Sequence, residues 1–200
     1  MPMPTAMFCL MTLYSIKRHS FAIDLVRRHY SGNVKRVIKG IGVVTGVYVN
    51  PNTDQFWIID HRIYAPEGDG KRKLDHVRER LLNIVHHKQL SLHAVLMDSW
   101  YNAKQLFLLI ESSNKTYYSL KTNRQVDDSD GRQPYQRVDS LNLCSAEEET
   151  GKVIKLRGFP KEHKVKLFRV VASTRRTDYI VTNGMTQEST SATQEACRHR

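Results

Sequence analysis

The chain has 200 residues, of which 40% are hydrophobic, and this is enough apolar surface for the core of one α/β domain or of two smaller domains. Its 31 lysines and arginines outnumber its 20 aspartates and glutamates, and the formal charge of +11 is spread over the whole length. A polyanion such as nucleic acid is therefore the leading class of partner, and a basic surface that binds nothing is the alternative. The three cysteines are far apart and form no C-x-x-C pair, and no run reaches the roughly 20 apolar residues of a membrane span, which excludes a disulfide framework, a zinc module and a membrane protein and favours the cytoplasm.

The first elements are strands. The opening stretch "MPMPTAMFCLMTLY" is apolar, but no basic residue precedes it and no small-residue cleavage pattern follows it, so it does not predict a signal peptide. From Val34 to Tyr64, "VIKGIGVVTGVYVN" and "QFWIIDHRIY" are rich in β-branched and aromatic residues and are separated by the turn "PNTD". This pattern predicts an antiparallel pair of strands.

Two helices and a short strand follow. In "KLDHVRERLLNIVHHK" the apolar residues recur at helical spacing and predict a helix with a basic outer face; they are Leu74, Val77, Leu81, Ile84 and Val85. "AVLM" is typical of a buried strand, and "YNAKQLFLLIESSN" predicts a second helix whose inward residues are Ala103, Leu106, Phe107 and Ile110.

A single acid, Asp98, ends the "AVLM" strand in "HAVLMDSWY". Strand ends open onto the crevice in which α/β proteins bind ligands, so this is a candidate catalytic position. The alternative is a helix cap, because an aspartate before "SWYNAKQ" can accept hydrogen bonds from free backbone amides. The residues favour neither role, and the two are compatible.

The chain changes character after Tyr118. "KTNRQVDDSDGRQPYQRVDS" is polar and rich in turn residues and predicts an exposed insertion, in which Asp127 to Asp130 form a solvated loop rather than a calcium site. "GKVIKLRGF", "HKVKLFRVVAS" and "TDYIVTN" predict three strands, and "STSATQEACRHR" resembles the start of a helix. The order of elements indicates a mixed sheet flanked by helices.

Other charged positions have ordinary interpretations beside functional ones. Asp60, in the middle of "WIIDHRIY", is expected to be a surface-facing strand acid that pairs with a neighbour rather than a metal ligand. Lys164 and Lys166 alternate with apolar residues and therefore line one face of a strand, where they could follow a phosphate backbone or simply face water.

Several of these segments together resemble a known family. "RRHYSGNVKRVIKGIGVVTGVYVNPNTDQFWIIDHRIYAPEGDGKRKLDHVRERLLNIVHHKQL", "VLMDSWY", "NRQVDDSDGRQPYQRVDS", "GFPKEHKVKLFRVV" and "TDYIVTN" are similar to the DDE transposases of bacterial, cyanobacterial-type insertion sequences. The similarity covers roughly residues 20 to 197. It implies an RNase H-like catalytic core that is interrupted by a β-rich insertion, and DNA as the partner.

The resemblance also implies a metal site. DDE transposases hold two divalent ions, usually Mg²⁺, about 4 Å apart on three acidic side chains, and the ions activate the attacking oxygen and stabilise the leaving oxygen. The family's second acid stands in "V-L-M-D-x-W-Y", which Asp98 matches, so Asp98 is the implied catalytic residue and metal ligand. Lys71, Arg72, Lys73, Lys164 and Lys166 are the expected DNA contacts.

The other two acids of the family have no match. The first belongs to an "F-D-D-T-V-L-D-K"-like strand, but this chain has "FCLMTLYSIKR" there, with no acid between Met1 and Ile23. Synonymous codons can be chosen for Cys9 to Lys17 that encode F-N-D-T-V-L-D-K in a neighbouring frame, which raises the hypothesis of a frameshift. The third is a Glu in a motif on a later helix. Glu195 stands before the position of that motif and does not match it.

The sequence therefore predicts a transposase fragment, trimmed at both ends and without catalytic activity. We expect a non-family segment at 1–19, a partial RNase H-like core at 20–120, a polar loop and β-rich insertion at 121–183, and the start of a C-terminal helix at 184–200, with the first strand and the last catalytic helix missing or altered. The alternatives are a DNA-binding module, a regulator that forms inactive mixed oligomers with full-length transposase, and a translated relic that folds poorly. A homo-oligomer of this chain is also possible.

Overall fold

A computed structural model describes residues 6–17, 22–31, 36–120, 125–173 and 176–198. Within these ranges eleven strands form one sheet. The strands are β1 (Met7–Ile16), β2 (Arg27–Ser31), β3 (Arg36–Asn50), β4 (Gln55–Ile63), β5 (Ala94–Met97), β6 (Thr116–Leu120), β7 (Gln125–Asp127), β8 (Gln136–Arg137), β9 (Lys152–Leu156), β10 (Lys164–Ser173) and β11 (Arg176–Thr182).

The sheet is mixed, as the sequence predicts. β2 and β4 both pair with β3, and the order then runs β3, β1, β5, β6, β11, β10, β9, β7, β8. β5 is parallel to both of its neighbours, β1 and β6, whereas the other ladders are antiparallel. A short buried strand between parallel neighbours explains why β5 is apolar at all four positions.

The segment Met7–Ile16 is a central strand of this sheet. The sequence left the first strand of the core as missing or altered and placed these residues in a non-family segment, but β1 pairs with β3 on one side and with β5 on the other. Its residues alternate between the two faces, with Phe8 and Leu10 in one core cluster and Cys9 in the other. The strand is therefore present, and it carries no acidic residue.

Helices cover one face of the sheet. They are α2 (Lys73–Leu82), which continues into a π-helical turn over Asn83–His87, and α3 (Lys104–Ser112). The residues predicted to face inward are buried or partly buried against the sheet: Leu74, Val77, Leu81, Ile84 and Val85 from the first helix, and Ala103, Leu106, Phe107 and Ile110 from the second. The helical periodicity in the sequence is thus confirmed.

The opposite face carries a smaller core. Cys9, Leu96, Tyr118 and Ile180 lie on it, and Cys197 reaches it from the end of α5 (Thr190–Ala196). Two further helical turns, α1 (Pro66–Asp69) and α4 (Ser145–Thr150), lie outside the sheet. None of the helices in the described ranges is long and apolar enough to cross a membrane.

The predicted insertion extends the same sheet rather than forming a separate layer. β11 pairs with β6 through Ile180 and Leu120, Val181 and Ser119, and Thr182 and Tyr118, which joins the later strands to the core. Lys121 to Arg124, at the start of the predicted insertion, lie outside the described residues. The boundaries at 19, 120 and 183 stay predictions.

The acidic loop Asp127–Asp130 is only partly solvated, because Asp130 is exposed as expected whereas Asp127 is not. Asp127 is buried and accepts hydrogen bonds from the Ser129 amide and hydroxyl and from the Gly131 amide, which together lower its pKa. Asp128 lies 2.9 Å from Lys152 Nζ. The loop is therefore fastened to β9, within the predicted insertion.

Candidate functional site

Asp98 lies at the carboxyl end of β5, where the sequence placed it. Its Oδ1 accepts a hydrogen bond of 2.8 Å from the Trp100 amide and caps the short 3₁₀ turn Ser99–Tyr101. The side chain is only half-buried, although the four residues before it are buried. The cap that the sequence offered as an alternative is thus present, and the metal-binding and catalytic roles of Asp98 stay predictions.

The strand beside β5 determines which side chains could bind the same metal ion as Asp98. β1 runs parallel to β5, and Leu10 and Met97 are the last paired residues, so Met11 and Thr12 follow on β1 where Asp98 follows on β5. The Thr12 hydroxyl is hydrogen-bonded to the Tyr101 hydroxyl. This edge of the sheet therefore offers a thioether and an already bonded hydroxyl at the level of Asp98.

These groups do not fit a two-magnesium site. Mg²⁺ requires hard oxygen ligands in near-octahedral geometry, whereas a thioether is a soft ligand and one oxygen of Asp98 already accepts the cap hydrogen bond. Within the ranges that the structure describes, no group of three or more His, Cys, Asp or Glu side chains is placed to hold a metal ion.

Two buried side chains, Tyr101 and Arg80, belong to the electrostatic surroundings of this turn. Burial raises the pKa of Tyr101 to about 12, the negative charge of Asp98 acts in the same direction, and the hydrogen bond with Thr12 opposes it. Tyr101 therefore stays neutral. The Arg80 side chain, which is fully buried, places Nε 3.0 Å from Asp60 Oδ2. Asp60 does pair with a neighbour, as expected, but its partner comes from α2 rather than from a strand.

The cluster Lys71, Arg72 and Lys73 precedes and begins α2. Lys71 Nζ lies 2.7 Å from Glu79 Oε1, and Arg62 also pairs with Glu79, which lowers the pKa of that carboxyl. Arg72 reaches Asp75 at 3.2 Å but leaves 79% of its side chain exposed. Two of the predicted DNA contacts thus have intramolecular partners, and Arg72 still has most of its side chain in solvent.

Lys73 is enclosed by aromatic rings. Its Nζ lies 4.9 Å from the ring centroid of Tyr14, 5.1 Å from that of Tyr64 and 5.0 Å from that of Trp100, and it donates a hydrogen bond to the Tyr14 hydroxyl. A cation over an aromatic face is attracted by the ring quadrupole. Lys73 therefore links the start of α2 to the turn that Asp98 caps.

Lys164 and Lys166 lie elsewhere. They share a face of β10, as the alternation predicts, but β10 is separated from β5 by β6 and β11 in the sheet. Lys164 Nζ lies 3.2 Å from Asp130, and Lys166 Nζ donates a hydrogen bond of 2.6 Å to the Gln187 carbonyl. The structure brings Arg72 and Lys73 close to the Asp98 turn and leaves these two lysines apart from it.

Three side chains near Asp98 were missed by the sequence interpretation. Arg28, Tyr30 and Trp100 line a common cavity with Arg72 and Lys73. The signal was the mixture of basic and aromatic letters in "RRHYS" and the aromatic residues directly after Asp98 in "DSWY". Such mixtures are typical of nucleic-acid-binding surfaces.

The mixed sheet with helices on its faces is consistent with the RNase H-like class of fold, and the comparison with one solved transposase structure supports this fold. The chain is similar to piggyBac transposase in a synaptic complex with hairpin DNA, with a TM-score of 0.52 and 14% identity over 98% of this chain and 39% of that one. It thus spans well under half of the transposase chain. A second similar structure is endonuclease V of Ciona intestinalis bound to DNA containing inosine, with a TM-score of 0.45 and 11% identity over 96% of this chain and 77% of that one.

Comparisons of sequence alone find no relative. No protein-family model matches the chain, and no curated protein matches it.

Proposed function

We propose that this protein is a DNA-binding derivative of a DDE transposase of the bacterial insertion-sequence type, and that it does not cleave DNA. One observation carries the proposal: β1 runs beside β5 in the RNase H-like sheet, yet at the level of Asp98 it presents Met11 and Thr12. In the family that the sequence resembles, the two-metal site takes one acid from each of these strands. Asp98 is then the remnant of a three-acid site.

Charge and fold support DNA as the partner. The formal charge of +11 favours a polyanion, and exposed Arg28 and Arg72 lie beside the Asp98 turn, where a transposase core would hold DNA. The piggyBac transposase that shares the fold is itself a DNA complex. In an intact family member, the expected activity would be Mg²⁺-dependent DNA cleavage and 3′-hydroxyl strand transfer.

A second candidate function is regulation by association with full-length transposase or with another copy of this chain. Among the strands that the structure describes, β4 pairs only with β3, and on it Phe56 is 70% exposed and Ile58 is 64% exposed. An apolar edge strand is a surface on which another chain can add. This function is compatible with DNA binding.

The test is a salt titration of binding to labelled duplex and hairpin DNA, combined with a cleavage assay in Mg²⁺ or Mn²⁺. Sequence-independent phosphate contacts predict a Kd of about 10⁻⁴ to 10⁻⁶ M at physiological salt that weakens steeply as salt rises. No strand cleavage is expected. Binding that is absent or insensitive to salt would refute the DNA-binding proposal, and metal-dependent cleavage that disappears in Asp98→Asn would show that catalysis is retained.

A further inference from the structure

A cavity of about 480 Å³ lies between β2, the start of α2 and the turn capped by Asp98. This volume is within the range of small-molecule pockets, about 300–1,000 Å³. The cavity lining includes the aromatic rings of Tyr30 and Trp100 and the cations Arg28, Arg72 and Lys73. The described residues that line the cavity include no acid. The cavity therefore suits a ligand that is both flat and negatively charged.

The aromatic side is open to a ligand. Trp100 is 48% exposed and Tyr30 is 51% exposed, and their ring centroids lie 6.3 Å apart with the planes tilted by 56°. Lys73 sits over Trp100 and is itself held by Tyr14, so the indole is fixed from below. A half-exposed indole held in this way is a stacking platform for an unpaired base, because every base has a π-face.

The polar side is also suited to a nucleotide. Arg28 and Arg72 are exposed at the rim, where a guanidinium can donate two parallel hydrogen bonds to a phosphate. At the base of the cavity the His29 residue is only 6% exposed, and its Nε2 has no hydrogen-bond partner among the described residues. This nitrogen is closed off from solvent and packs against Gly42, so the contacts to a phosphate come from the rim arginines and not from His29.

We propose that this cavity binds one unstacked nucleotide of a DNA strand, with the base on Trp100 and Tyr30 and the phosphate between Arg28 and Arg72. The proposal rests on DNA binding and adds a preference for single-stranded or distorted DNA over regular duplex. Regular duplex keeps its bases stacked on each other and cannot offer a free face to Trp100.

The chain provides a matched control for the test. Trp57 is 46% exposed and has Tyr48 at a ring-centroid distance of 6.1 Å, almost as Trp100 has Tyr30, but it lies on β4 and does not line the cavity. The two variants Trp100→Ala and Trp57→Ala remove the same kind of ring from the same degree of exposure. Binding of a labelled short oligothymidylate is expected to weaken by about tenfold in Trp100→Ala and to stay unchanged in Trp57→Ala.

Fluorescence gives an independent measurement. The chain has two tryptophans, so Trp57→Phe leaves Trp100 as the sole reporter, and the oligothymidylate is expected to quench it at the same Kd that the labelled oligonucleotide gives. Trp100→Phe, which keeps a ring, is expected to recover most of the affinity lost in Trp100→Ala. This measurement still decides the matter if Trp100→Ala fails to fold.

The outcomes separate this proposal from the function on which it rests. Duplex binding that is intact, together with no quenching of Trp100 and equal affinities for the two alanine variants, refutes the nucleotide site alone. Failure to bind both single-stranded and duplex DNA refutes DNA binding as well. Thymidine monophosphate that binds as tightly as the oligonucleotide shows that the occupant is a free nucleotide and overturns the assignment to a DNA strand.

Discussion

A fully buried arginine, Arg80, lies on the inner side of α2. The Arg80 side chain is fully buried, and the carboxylate of Asp60 at 3.0 Å from Nε is the opposite charge placed to balance it. Burial lowers the pKa of Arg80, while the charge of Asp60 opposes that change. The guanidinium stays charged because even a lowered arginine pKa is far above neutral.

Asp60→Asn is expected to lower the free energy of unfolding by roughly 3 kcal/mol, because it leaves a buried cation without its partner. This is the lower end of the range of about 3–5 kcal/mol for removing one partner of a buried ion pair, because the Asp60 side chain is 24% exposed and water can partly solvate the arginine in its place. Urea unfolding measures the change. In an Arg80→Met background the same Asp60→Asn substitution should cost little, and an equal cost in both backgrounds would show that the pair is not coupled.

The sequence located Asp98 but not its surroundings. A carboxylate after a buried strand is visible in the letters, and so is its ability to cap the following turn. The Asp60–Arg80 pair and the aromatic enclosure of Lys73 were not visible, because both join residues from separate elements. A run such as "KRK" shows the charges and not the partners that neutralise them.

At the scale of elements, β1 was the least predictable. "FCLMTLYSI" has the apolar content of a strand, but its parallel partner β5 lies far along the chain, and no turn signal connects them. The β3–β4 hairpin was predictable because its turn is local, and α2 and α3 were predictable because periodicity is local. Long-range parallel pairing has no comparable local signal.

The close packing of β1 on β3 depends on Gly46. A Cβ at this position would lie 2.6 Å from two ring atoms of Phe8, a fully buried side chain, and Gly46 also adjoins the bulge in the β3–β4 ladder. Gly46→Ala is therefore expected to destabilise the protein by about 1–3 kcal/mol through overpacking. Thermal unfolding checks this, with Gly68→Ala as the control, since a Cβ there meets only Ala65 at 3.9 Å. Equal melting temperatures for the two variants would contradict the prediction.

At the scale of the whole molecule, the mixed sheet with flanking helices was predicted and is confirmed. The single continuous sheet was not predicted. The polar residues after Tyr118 indicate an exposed segment, but they do not show to which edge of the core sheet the later strands add. The β6–β11 ladder makes that choice through contacts between residues that are distant in sequence.

Stability is expected to fall as pH drops from 7 to 5. Burial lowers the pKa of His29 and of His76 from the ordinary 6.5, with Lys73 adding to the effect at His29 and Asp69 opposing it at His76. The unfolded chain therefore binds protons at these two histidines more readily than the folded chain does. The neutral histidines contribute their full stability above pH 6.5, and this contribution is lost as the pH falls from 6.5 through the lowered pKa values of the folded state. Urea midpoints between pH 8 and 5 measure this, and His76→Phe should reduce the slope. A midpoint that does not change over this range would refute it.

The position of β1 also has a consequence for synthesis on the ribosome. This strand is translated well before one of its partners, β5, yet both of its edges are occupied in the finished sheet. Until Ala94–Met97 has been translated, the apolar Met7–Ile16 has an open edge, and parallel pairing across such a distance forms slowly. The nascent chain is therefore most exposed to chaperones, and to misassembly with other nascent copies, while the residues between Ile16 and Ala94 are being translated.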